Sequence, residues 1–124
     1  MHKVMVIDDE PFILMMIEDK LKKANIMVVA LRESRDAVEV IRKEKPDLII
    51  LDWMMPEISG IEICKTLKED SELQNIPVFM LTAKGQDEDE KLGLQYGIAR
   101  YITKPFSPKA LLSMVEETLG KHSP

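Results

Sequence analysis

Short runs of consecutive apolar residues, each too brief for a helix, recur along the chain and constrain its fold more than any other feature. They are Val4-Met5-Val6-Ile7, Ile26-Met27-Val28-Val29-Ala30, Leu48-Ile49-Ile50-Leu51, Val78-Phe79-Met80-Leu81 and a weaker Ala99-Arg100-Tyr101-Ile102. Continuous rather than alternating runs suit strands covered on both faces. Helical spacing fills the intervals. Ile13, Leu14, Ile17, Leu21 and Ala24 share one face, as do Ala37, Val38 and Ile41, and Leu111, Leu112, Val115 and Leu119 give a last helix its apolar stripe. Strands alternating with helices predict an α/β fold with a parallel sheet and helices on both faces, because right-handed crossovers leave few other solutions.

Local signals place the helix ends. Ser34, Ser59 and Ser107 each stand where a side-chain oxygen can cap a helix, Ser59 to Glu62 spells a capping box, and Pro108 fits a first helical position. Gly97 and Gly120 fit helix C-termini, and residues 86–96, with Gly93 inside, are expected to form the least stable and most mobile helix.

Composition narrows the function classes. The 124 residues suffice for one core, and 45% apolar with 31% charged residues is the profile of a folded domain. Seventeen Lys and Arg against 22 Asp and Glu leave a net charge of -5, so no basic stripe is available for a nucleic-acid backbone. No apolar run approaches the about 20 residues of a bilayer span. The chain enters a strand at once, with no room for a secretion signal, so a cytoplasmic location is expected. A single cysteine, Cys64, predicts neither a disulfide nor a thiolate metal cluster, and fits a helix face as a small apolar residue. His2 and His122 lie near the termini, away from any general-base role.

In open parallel sheets the site lies beyond the carboxyl ends of the strands. Asp8 and Asp9 follow the first run, Asp52 the third, Thr82 the fourth and Lys104 the fifth. Three carboxylates within about 4 Å would repel by roughly 4 kcal/mol per pair at an effective dielectric of about 20, so a cation is required among them. Oxygen ligands without thiolates or clustered histidines point to Mg²⁺. Lys104 suits a phosphoryl oxygen as a point charge, and Thr82 adds a hydroxyl donor. The phosphate-loop, dinucleotide, nucleophile-elbow and zinc-protease motifs are all missing from the sequence.

Four segments then carry a resemblance. Val6-Ile7-Asp8-Asp9-Glu10-Pro11, Asp47 through Pro56 with Gly60 following, Pro77 through Ala83, and Tyr101-Ile102-Thr103-Lys104-Pro105-Phe106 resemble, in type, order and spacing, the receiver domain of two-component response regulators. The resemblance covers essentially the whole chain. It implies a flavodoxin-like doubly wound (βα)5 fold, with five parallel strands in the order 2-1-3-4-5. It implies Asp52 as phosphoacceptor, Asp8 and Asp9 as the acid pocket for Mg²⁺, and the Met54 backbone carbonyl as a further ligand. Thr82 is implied as the switch hydroxyl, Tyr101 as the switch aromatic and Lys104 as the phosphate-binding lysine, with a cis Lys104-Pro105 bond.

By the same resemblance the donor is a sensor histidine kinase, and the fourth helix, fifth strand and fifth helix form the output surface. The partner there would be a downstream protein target or a histidine phosphotransfer protein, and the chain a monomer or a weak phosphorylation-dependent dimer. Residues 1–120 are expected to form the receiver and 121–124 a short tail, without an output domain. No enzyme activity is expected beyond self-phosphorylation and slow dephosphorylation, because Met54 and Lys84 offer no group to orient an attacking water. Arg100 stands where many relatives with DNA-binding output carry Asp, and Ser34 where Gly is frequent, a change expected to touch folding more than chemistry. An aspartyl phosphohydrolase is the competing reading, but Asp8-Asp9-Glu10 lacks its D-x-D spacing and no cap region is available. A scaffold with a vestigial site fits less well, because all five site residues are present.

Overall fold

A computed structural model of the chain describes residues 1–83 and 97–121. Its elements run β1 (Lys3–Ile7), α1 (Pro11–Lys23), β2 (Met27–Leu31), α2 (Ala37–Glu44), β3 (Leu48–Asp52), α3 (Gly60–Lys68), β4 (Val78–Ala83), β5 (Arg100–Lys104) and α4 (Pro108–Lys121). The five strands form one sheet in the order β2-β1-β3-β4-β5, and all four pairings are parallel. This is the flavodoxin-like arrangement. The helix expected over 86–96, with its mobility, lies outside the described residues.

Side chains alternate along each strand, and paired residues of a parallel ladder share a face. Val4, Val6, Leu48, Ile50, Phe79, Leu81 and Ile102 pack beneath α1 and α4, against Leu14, Ile17, Leu21, Leu111, Val115 and Leu119. Met5, Ile7, Ile49, Leu51, Val78 and Met80 pack on the other side with Ala37 and Ile41 of α2 and Ile63, Cys64 and Leu67 of α3. Two apolar layers explain why the central strands read as unbroken runs. β2 departs from that expectation: as an edge strand it is exposed or half-buried throughout.

The helix-end signals divide. Ser59 caps α3 by accepting from the Glu62 amide at 3.3 Å, and Ser107 Oγ accepts from the Ala110 amide at 3.2 Å at the start of α4. Ser34 does not cap α2, which begins after Asp36; its hydroxyl is turned toward another loop. Gly120 lies inside α4, which continues to Lys121, rather than ending it; residues 122–124 of the expected tail lie outside the described residues. No helix among the described residues is long and apolar enough to cross a membrane.

Candidate functional site

Strand parity assembles the site. Asp8 follows Val4 and Val6 on the α1 side of β1, and its amide extends the ladder by donating to Leu31 O at 3.1 Å. Asp52 continues the Leu48, Ile50 series at the end of β3, and Lys104 follows Ile102 at the end of β5. Three chain segments therefore deliver their ionised ends to one side of the sheet edge. Thr82 and Tyr101 belong to the opposite parity, with Met80 paired to Tyr101 and Thr82 to Thr103.

The ammonium of Lys104 sits among the acids. Its Nζ lies 3.0 Å from Asp8 Oδ2, 3.2 Å from Glu10 Oε1 and 3.3 Å from Asp52 Oδ1. Asp8 is fully buried, and its Oδ1 accepts the Glu10 amide at 2.8 Å, which fixes the carboxylate. Oδ2 has the charge of Lys104 nearby but no hydrogen bond of acceptable angle. Ligand atoms of Asp8, Asp9 and Glu10 lie within 4.8 Å of one another. A buried, unbonded carboxylate oxygen beside two more acids, with oxygen donors only, fits a hard divalent cation such as Mg²⁺. Asp52 joins this trio through Lys104 rather than through the same tight cluster.

Burial pushes the Asp52 carboxyl up to about 6, the charge of Asp8 adds to the rise, and Lys104 opposes it. Burial likewise raises Asp8, against the pull of the Glu10 amide and of Lys104. For Lys104 burial alone would lower the value; its contacts with Asp8 and the charges of Asp52 and Asp8 outweigh it, and the group is pushed up to about 12. At neutral pH Asp52 is thus mostly ionised yet more basic than an ordinary aspartate, which suits a nucleophile.

The other expected residues surround this centre. Thr82 is buried and its Oγ1 donates to Ala83 O at 3.2 Å. Tyr101 is half-buried against the α2 and α3 side of the core. Met54 is exposed, between the buried Trp53 and Met55, in the loop after β3. Gly60 closes that loop, its amide donating to Trp53 O at 2.9 Å. A Cβ there would clash with the Asp52 carbonyl oxygen, so only glycine lets α3 begin this close to the end of β3. Lys104-Pro105 is cis, and Arg100 pairs with Glu117 of α4 at 3.3 Å. Lys84 lies outside the described residues. Sequence reasoning gave no role to Glu10, which the structure places on Lys104; its position two residues beyond Asp8 was the available signal.

Comparison with known proteins agrees with this geometry. A family model, the response regulator receiver domain, matches residues 4–116. The chain belongs to that family. It is 41% identical over 121 residues, 98% of its length, to the phosphate regulon transcriptional regulatory protein PhoB of Pseudomonas aeruginosa, of which the match covers 53%. The chain thus spans about half the length of the curated relatives it matches. Among solved structures, the Francisella response regulator 1452 receiver domain superposes with a TM-score of 0.90 at 32% identity, covering 99% of this chain and 100% of that one. The Vibrio cholerae chemotaxis protein CheY4 gives 0.88 at 30% identity, covering 95% and 98%. The chain is a receiver domain of two-component signalling, a family whose members work with histidine kinases and generally depend on Mg²⁺.

Proposed function

We propose that Asp52 accepts a phosphoryl group from the phosphohistidine of a sensor kinase, and that the loaded domain signals through protein contacts. One Asp52 carboxylate oxygen attacks phosphorus. The new O–P bond forms as the P–N bond breaks, and its electron pair returns to the imidazole nitrogen of the donor. Lys104, already 3.3 Å from Asp52 Oδ1, holds an oxygen of the incoming group and balances its charge. Asp8, Asp9, Asp52 and the Met54 carbonyl are the residues to hold Mg²⁺, which when bound neutralises charge on phosphoryl oxygens.

The observation that carries this reading is one ammonium, the only one at the site among the described residues, shared by Asp8, Glu10 and Asp52, with the buried Oδ2 of Asp8 left with that ionic contact alone. Phosphorylation turns Asp52 from an anion into an acyl phosphate, a mixed anhydride that by analogy with other phosphoresidues carries about -1.5 to -2 charges. Lys104 then follows the phosphoryl oxygens, and Thr82 turns from Ala83 O toward them. Tyr101 fills the space that Thr82 leaves, which reshapes the β5 and α4 face for a protein target or phosphotransfer protein. Self-phosphorylation and its slow reversal are the only reactions in this account, and a weak dimer of the loaded form is compatible with it.

Incubation with acetyl phosphate and Mg²⁺, followed by intact-chain mass spectrometry, tests it. One phosphoryl adduct is expected, absent from Asp52→Asn. Trp53 fluorescence should change on adding Mg²⁺ and again with acetyl phosphate. An adduct that persists in Asp52→Asn, or none in the parent chain, refutes the assignment.

A further inference from the structure

Four polar or charged residues are buried among the described residues: Asp8, Asp52 and Thr82 belong to the site, and the fourth is Ser34. Ser34 lies in the turn between β2 and α2, and only 3% of it is exposed. A hydroxyl so far from water needs a partner. Its Oγ accepts the amide of Ile58 at 3.0 Å, across 24 positions of sequence, while its carbonyl accepts the Ala37 amide at 3.2 Å to start α2. Next to it, Arg35 grips the Glu57 carboxylate with two guanidinium nitrogens at 2.7 and 3.1 Å. Both ties land on the far limb of the loop that leaves Asp52.

That loop is already fastened at its neck. Trp53 N donates to Leu81 O and Gly60 N to Trp53 O, each at 2.9 Å, and the side chains of Trp53 and Met55 are buried. Between neck and helix, residues 57 and 58 have the ties from 34 and 35. The Arg35 pair is exposed and adds little free energy, but its forked geometry restricts orientation. The Ser34 bond is the more buried of the two, and its loss leaves the half-buried Ile58 amide without this partner.

We propose that Ser34, seconded by Arg35, is a positioning residue that fixes the 53–59 loop and so sets the affinity of the site for a divalent cation at the Met54 carbonyl. This rests on the Met54 assignment made above, and revises the expectation that Ser34 touches folding more than chemistry. Its action is indirect. The turn before α2 holds the loop, and the loop holds the ligand.

The 124-residue chain with Ser34→Ala is compared with the parent by three readouts. Amide hydrogen exchange at Ile58 is measured without Mg²⁺, half-saturating Mg²⁺ by Trp53 fluorescence, and the rate of acetyl phosphate labelling at saturating Mg²⁺. Expected are faster exchange at Ile58, half-saturating Mg²⁺ raised about fivefold, the scale of one lost hydrogen bond, and a saturated rate within about twofold of the parent. Arg35→Ala should give a smaller shift in the same direction. Faster exchange with unchanged half-saturation overturns the proposal, as does unchanged exchange. Should circular dichroism show Ser34→Ala unfolded, Ser34→Cys keeps the volume, weakens the acceptor and is read the same way. A parent chain that neither responds to Mg²⁺ nor takes a phosphoryl group sinks the proposed function instead, and the Ile58 exchange still decides the loop tie.

Discussion

Asp52→Asn should stabilise the metal-free protein at neutral pH, although it removes the proposed phosphoacceptor. Asp52 is buried, and its carboxyl is raised from 3.8 to about 6. The sign follows from proton counting. Between those values the folded chain still holds a proton that the unfolded chain has released, so stability falls as pH rises through the interval. Above about pH 6 the whole penalty is present, and below 3.8 it is gone. An interval of about two units at about 1.4 kcal/mol each is worth about 3 kcal/mol. Asn keeps the shape but must find acceptors for its amide, which reduces the expected gain to about 1–3 kcal/mol. Urea denaturation in EDTA, from pH 4 to pH 8, measures it. The variant should gain over the parent as pH rises and match it near pH 4. Mg²⁺ should reverse the order at pH 7.5, because the parent binds it better in the folded state. A variant less stable than the parent at pH 7.5 without metal, or a difference independent of pH, refutes the account of a strained, under-neutralised carboxylate.

Lys104→Met should act in the opposite sense. Its raised value, from 10.5 to about 12, means a contribution fully present below 10.5 and lost through about 12. Urea melts at pH 7 should therefore show a loss of about 2 kcal/mol, and carboxyl titration by NMR should place Asp52 above its parent value. Gly60→Ala forces a methyl against Asp52 O; a loss of about 1–3 kcal/mol in the same melts, with weaker Mg²⁺ binding, is expected. Met54→Asn puts an amide two residues beyond the proposed phosphoacceptor; if it orients water there, decay of the phosphoryl adduct, followed by mass spectrometry, should quicken several-fold. Cys64 is buried and its thiol is raised by that burial, so native protein should resist a thiol reagent that labels it readily in urea.

Much of this was legible in the sequence because it depends on short-range counting. The apolar runs gave the central strands, and Asp52, Thr82 and Lys104 marked the carboxyl ends of three of them. Even the convergence of Asp8, Asp52 and Lys104 follows from parity, once strand order is known. What escaped depended on distance in sequence. Glu10 reads as an ordinary residue before a helix, and becomes informative only when Lys104, 94 positions away, comes to rest on it. Ser34 carries a helix-cap signal, yet its hydroxyl is taken by Ile58. Local propensity cannot anticipate that choice, because the competing amide arrives on another crossover. β2 looks as apolar as its neighbours, and its edge position is a property of topology alone.

The same distances explain why the site is built to receive charge rather than to rest. Asp8, Glu10 and Asp52 share one ammonium among the described residues, and Asp9 adds a fourth acid beside Asp8 and Glu10. Fully ionised, such a group carries three uncompensated negative charges, and burial holds the Asp8 and Asp52 values up in response. A divalent cation relieves most of that excess, whereas a phosphoryl group without one would add to it. Cation binding and phosphoryl capture are therefore linked by simple electrostatics. The loop that carries Met54, whose carbonyl is proposed as a cation ligand, is anchored by Gly60 at its neck and by Ser34 at its far limb. On that proposal, residues with no charge of their own help to set how strongly the acids are satisfied.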